Sequence, residues 1–198
     1  MTQAVMDLDR RSGISPRRVP VAPNAVIGML IFVVAEVMFF AALMSAFTIT
    51  KISTLGPWPP PGQPRLPIEA TAVNTGVLLA SGIALFFARR QHALVPRKAL
   101  RLLGASALLG ATFVTVQGYE WVQLVREGLT LRSGPHGGFF YLIVGAHALH
   151  VLAGLMVLGL ALRKLQRDEL SPGYFAATRV FWYFVVLLWP IVYFRVYL

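Results

Sequence analysis

Five stretches of the sequence are apolar for long enough to restrict the kind of fold the chain can adopt. Residues 25–50, 71–88, 100–125, 138–162 and 174–197 are each close to or above the ~20 residues a helix needs to cross the hydrocarbon core of a bilayer, 71–88 being the shortest. In lipid, every backbone amide and carbonyl must find a partner within its own segment. No stretch shows the ~10-residue apolar–polar alternation of a barrel strand, so each is expected to be helical. The fold class that follows is all-α, an integral membrane bundle of five transmembrane helices over residues 25–198. Residues 1–24 form a polar tail with Arg10, Arg11, Arg17 and Arg18 and no apolar core of the kind a signal peptide carries.

Charge distribution sets the expected orientation. A formal net charge of +10 would suit a nucleic-acid partner, but the basic residues lie in the short connections between apolar runs, where membrane topology accounts for them without nucleic acid. Thirteen of the 18 lysines and arginines fall on the side of the N-terminus. Only Lys51, Arg65, Arg126, Arg132 and Arg195 fall on the other. By the positive-inside rule the N-terminus is cytoplasmic and the C-terminus external. The absence of cysteine excludes thiolate metal sites, iron–sulfur clusters and cysteine nucleophiles.

The residues able to carry chemistry are those that are costly in lipid. Glu36 lies about twelve residues into the first run, near the bilayer midplane at ~1.5 Å rise per residue. Its neighbours Val33, Val34, Val37, Phe39 and Phe40 offer no countercharge, so a partner must come from another helix or from water. It is either a proton-linked carboxylate or a neutral acid hydrogen-bonded between helices. Glu120 falls late in the third run beside Gln117, where it can reach water or an interfacial arginine such as Arg126; a packing or salt-bridge role is the expectation. His147 and His150 share one face of the fourth helix. Without a further histidine in an apolar run they fall short of a metal or haem site, and one of them is expected to hydrogen-bond Glu36 across a helix interface. Asn74 and Ser81, seven apart, mark a stripe of close helix approach in the second run, and Gly104, Gly110, Gly145 and Gly154 read as further close-contact positions. Trp58, inside Gly56-Pro57-Trp58-Pro59-Pro60-Pro61-Gly62, is either an interfacial anchor or part of a helix stop.

Several segments, taken in order, are similar to one known family. They are Gly28-Met29-Leu30-Ile31-Phe32 with Ala35-Glu36-Val37-Met38-Phe39-Phe40, then Trp58-Pro59-Pro60, and Asn74-Thr75-Gly76-Val77-Leu78-Leu79-Ala80-Ser81-Gly82. Gln117-Gly118-Tyr119-Glu120 and Gly145-Ala146-His147-Ala148-Leu149-His150-Val151 with Gly154 complete the series. Together they resemble subunit III of the haem–copper terminal oxidases, the cytochrome c oxidase subunit III family, in its short five-helix bacterial form. The final helix departs from it: Tyr183 and Val186 stand where the family usually has a histidine and an aspartate.

The resemblance implies an accessory subunit without a redox centre in a bacterial inner membrane. It would pack in a hetero-oligomeric complex against the catalytic subunit that holds haem and copper. It would support proton uptake, structural phospholipid binding and stability of that subunit during oxygen reduction in aerobic electron transport. Glu36 would be the carboxylate facing the lipid cleft, with Glu120, His147 and His150 as polar supports and Trp58, Asn74, Ser81, Gln117 and Gly154 as lipid or helix-packing positions. The electron donor, cytochrome c or quinol, is left open. Two other readings stand beside this one: a nitric-oxide reductase-associated subunit of the same family, and a self-contained proton-coupled transporter. Against the transporter, five spans leave no inverted repeat.

Overall fold

A computed structural model describes residues 23–92 and 95–198, so the polar tail expected over residues 1–24 lies almost wholly outside the described residues. The apolar runs form α1 (Asn24–Ser53), α2 (Ile68–His92), α3 (Pro96–Arg126), α4 (Pro135–Gln166) and α5 (Pro172–Val196), and all five are long and apolar enough to cross a membrane. At 25 to 32 residues they run past the apolar runs on both sides, except at the C-terminal end of α5. Their ends carry Lys51, Arg89, Arg90, Arg126, Arg163, Lys164 and Arg195, whose long stems let the charge reach the interface while the backbone stays helical. Pro96, Pro135 and Pro172 each sit in a first turn, where a missing amide hydrogen is no loss. The Ser171 hydroxyl caps α5 by accepting from the Tyr174 amide.

The helices extend far enough to take in two histidines that the apolar runs leave out, His92 in the last turn of α2 and His136 in the first turn of α4. Both lie outside the apolar runs, in the turns by which the helices extend beyond them. His136 is buried against Trp58, at 5.2 Å between ring centroids, because the 54–67 connection folds back over the ends of the helices. That connection contains a cis Trp58–Pro59 bond and is tied to the α3–α4 connection by the Gln63 side-chain amide, which donates to the Ser133 carbonyl.

α2 and α3 form the most extensive pair, and α5 packs on α1, α2 and α4. The buried stripe of α2 is Thr71, Asn74, Thr75, Leu78, Ser81, Gly82, Leu85 and Ala88. Small and polar residues line the contact because helices in lipid gain from close approach and shared hydrogen bonds rather than from hiding apolar surface. Asn74 donates to the Phe113 carbonyl at 3.1 Å, and the Ser81 hydroxyl donates to the Ser106 carbonyl at 2.8 Å. α1 is the opposite case. It meets only α4 and α5, buries only Phe40 and Phe47, and turns Ile31, Val34, Val37 and Met38 outward.

At the centre stands Trp182 of α5, fully buried, its indole N–H donating to Ser81 at 3.0 Å. A methyl group added at either Gly110 or Gly154 would come within 2.7 Å of the indole ring, so α3 and α4 close on it only because neither carries a side chain there. Gly145 makes an ordinary contact with Trp121. Gly104 has open space around it, so the expectation of close approach there is corrected.

Candidate functional site

Two groups of intramembrane polar residues are built from different helices. The first joins the exposed helix to the bundle. Glu36 Oε2 of α1 lies 3.1 Å from His150 Nε2 of α4, with the two side chains 20% and 14% exposed. The other ring nitrogen of His150, Nδ1, lies 2.7 Å from the Ala146 carbonyl oxygen one turn earlier in α4. A carbonyl oxygen can only accept, so Nδ1 carries a hydrogen. That leaves Nε2 as a bare acceptor in the neutral ring, and its contact with a carboxyl oxygen requires a proton between them. The pair is therefore either imidazolium with carboxylate or imidazole with carboxylic acid. Both forms are electrically neutral as a pair and differ by the movement of one proton over a single hydrogen bond. Aromatic rings wall the site: Phe40 packs on His150 at 5.4 Å, with Phe184 at 6.2 Å and Phe181 at 6.4 Å.

His147 belongs elsewhere. It is fully buried and its ring lies against Trp189 at 4.8 Å, with Phe113 and Phe40 nearby and no hydrogen-bond partner on either nitrogen. It borders a mostly apolar cavity of about 150 Å³ among α3, α4 and Trp189 of α5 that also touches Gln117 and Trp121. Of the two histidines, only His150 meets the acid.

The second group surrounds Glu120, which is 7% exposed. Its Oε2 accepts from Thr71 Oγ1 of α2 at 3.0 Å and from Gln117 Nε2 at 2.9 Å. Gln117 Nε2 also donates to the Tyr197 hydroxyl at 3.1 Å. Thr75, one turn past Thr71, accepts from the Trp189 indole of α5 at 2.9 Å. Arg126 is exposed and makes no ion pair with Glu120, so the expected reach to that arginine is corrected: the acid points inward, at α2. Thr71, Tyr197 and Trp189 are the members that the sequence alone did not single out. Each lies far along the chain from Glu120, and a threonine or tyrosine in an apolar run carries no mark of the partner it will meet.

Trp58, Asn74, Ser81 and Gly154 are placed as helix-contact or loop-packing residues: Trp58 against Phe47 and His136, Asn74 and Ser81 on α3, Gly154 against Trp182. Among the described residues no three His, Asp or Glu side chains converge as metal ligands. What remains for chemistry is the Glu36–His150 pair, able to hold or pass one proton at the flank of the bundle.

The model of the family described as cytochrome c oxidase subunit III matches residues 5–198 of the chain. A probable cytochrome c oxidase subunit 3 from Nocardia farcinica is 33% identical over 175 residues, covering 84% of this chain and 84% of its own. Cytochrome c oxidase subunit 3 of Corynebacterium diphtheriae is 31% identical over 201 residues, 96% of this chain and 95% of its own. The rabbit (Oryctolagus cuniculus) subunit 3 is 31% identical over 179 residues, 86% of this chain and 67% of its own.

Proposed function

The chain belongs to the cytochrome c oxidase subunit III family, and from that premise we propose that it supports proton delivery to a haem–copper oxidase through Glu36 and His150. Membership makes it a multi-pass membrane subunit that works in a complex with other oxidase subunits. In the proposal, haem and copper reside in the catalytic partner, and the assembly reduces oxygen in a bacterial inner membrane with the N-terminus in the cytoplasm. Phospholipid and the neighbouring subunit cover the outward face of α1.

The observation that carries this reading is the position of the acid. α1 is otherwise an apolar helix with two buried residues, yet it holds a carboxyl at its one polar contact with α4. A packing contact would serve equally well with an apolar pair and without the desolvation cost of an ionisable group in lipid. Because Nδ1 of His150 is occupied by Ala146, protons enter and leave the pair on the Glu36 side, the more exposed of the two. The pair is thus a single-proton store facing out of the bundle.

The test is Glu36→Ala in the purified oxidase. Subunit composition and the haem spectrum are expected to stay as in the wild type, while turnover and proton pumping fall more steeply as pH rises, since proton supply limits the rate where protons are scarce. An assembled variant with an unchanged pH profile would remove the proton-linked role, and loss of the whole complex would assign Glu36 to structure.

A further inference from the structure

A small pocket of about 160 Å³ lies at the end of the bundle where α1 and α5 finish and α2 and α4 begin, walled on one side by the 54–67 connection. Two of these four helix ends are N-terminal and two are C-terminal, so their dipoles offset one another and the side chains set the sign of the pocket. Those side chains are cationic. Lys51, from the last turn of α1, and Arg65, from the connection, both line it, and among the described residues neither pairs with a carboxylate. No aspartate or glutamate lines the pocket, and Glu69, the nearest in sequence to Arg65, is exposed. His136 lines it as well, 2% exposed, with a hydrogen-bond partner on neither ring nitrogen. An imidazole in any protonation state within reach of neutral pH carries at least one N–H. A buried donor here therefore lacks its acceptor, which a packed site rarely tolerates.

We propose that this pocket binds a small oxyanion of the phosphate class, held between Lys51 and Arg65 and accepting from the His136 ring. Charge and size select the ligand together. Two unpaired cations repel a metal ion and attract an anion, and a guanidinium presents paired donors that match two oxygens of one oxyanion. The volume is well above what a single water needs and below the ~300–1,000 Å³ of sites for drug-sized ligands. Its apolar lining is a few side chains, Trp58, Leu66 and Val196 among them, rather than a track along a helix, so a free anion fits it better than a headgroup with acyl chains attached. Bound there, the anion ties the last turn of α1 and the first turn of α4 to the connection, segments that the protein joins at this end through the contacts of Trp58 with Phe47 and His136.

The experiment labels the intact oxidase complex in phosphatidylcholine nanodiscs with phenylglyoxal for arginine and acetic anhydride for lysine, and reads each position by peptide mass spectrometry. Inorganic phosphate is expected to slow labelling of Arg65 and Lys51 at least fivefold relative to chloride at equal ionic strength. Arg132, exposed on the α3–α4 connection and outside the pocket, should change less than twofold. His136→Phe, which keeps a ring against Trp58 and removes the donor, should raise the phosphate concentration for half-protection of Arg65 at least fivefold. Arg65→Gln, at an exposed position, should do the same for Lys51, so the test holds even if the buried substitution fails to fold. Glu36→Ala should leave protection unchanged, which keeps this site independent of the proton-linked reading. Equal protection of Arg132, showing an adventitious ion only, or unchanged half-protection in either folded variant would overturn the assignment. So would protection by phosphatidylglycerol nanodiscs but not by phosphate, or an Arg65 that stays unreactive before any anion is added because a neighbouring subunit covers it.

Discussion

The hydroxyl of Thr71 has a single hydrogen and two acceptors in range, the Pro67 carbonyl at 2.8 Å and Glu120 Oε2 at 3.0 Å. It thus joins the first turn of α2 to an acid near the end of α3. Thr71→Val keeps the shape and removes the donor, leaving Glu120 with Gln117 alone. A buried acceptor that loses a partner costs about 1–3 kcal/mol. The expected outcome is a lower unfolding temperature of the solubilised complex without a change in the pH profile of turnover, measured by thermal melting alongside activity. Glu36→Ala is expected to give the reverse pattern, and the contrast separates a structural acid from a proton-linked one. The sequence allowed either role for Glu36. It could not say which histidine would face it, because both lie on one side of α4 and Phe40 packs on both. Glu120 hides its packing partner for a related reason. Its nearest arginine in sequence is visible, whereas its partner Thr71 lies 49 residues away.

Among the elements, α5 and α1 sit at opposite extremes. α5 is central because Trp182, Trp189 and Val185 are fully buried along it, and Trp182 is gripped by two glycines on different helices. Gly154→Leu would drive a side chain into the indole, and Trp182→Ala would leave a void and deprive Ser81 of its donor. Trp→Ala in a packed core costs about 3–5 kcal/mol, so Trp182→Ala is expected to reduce the amount of subunit recovered with the complex, read by quantitative immunoblotting. Phe194→Ala, on the exposed side of the same helix, is expected to have little effect. Helix number and the polar stripe of α2 were legible in the sequence, since length in lipid and the Asn74–Ser81 spacing each report directly on structure. The ends were less so, because charged and histidine residues at an interface look like loop while the backbone continues in a helix. The grip on Trp182 was half visible: Gly110 and Gly154 read as contact positions, but nothing marks which of four tryptophans they hold.

At the scale of the molecule, charge is arranged by end. In the described residues nine lysines and arginines lie where α2 and α4 finish and α3 and α5 begin, against five at the other end. By the positive-inside rule we propose that the richer end faces the cytoplasm. Since the chain has no cysteine, single substitutions give a clean readout. Glu169→Cys is expected to resist a membrane-impermeant maleimide added to spheroplasts, whereas Glu127→Cys is expected to react; the opposite result would invert the topology. The sparse attachment of α1, which meets α4 and α5 but neither α2 nor α3, bears on biogenesis. The first described helix to leave the ribosome has no docking surface until α4 has been translated, a delay on the order of ten seconds at bacterial elongation rates. Through that interval its carboxyl lacks the imidazole it will meet, and a truncation before Pro135 would strand α1 as an unpartnered span open to membrane quality-control proteases.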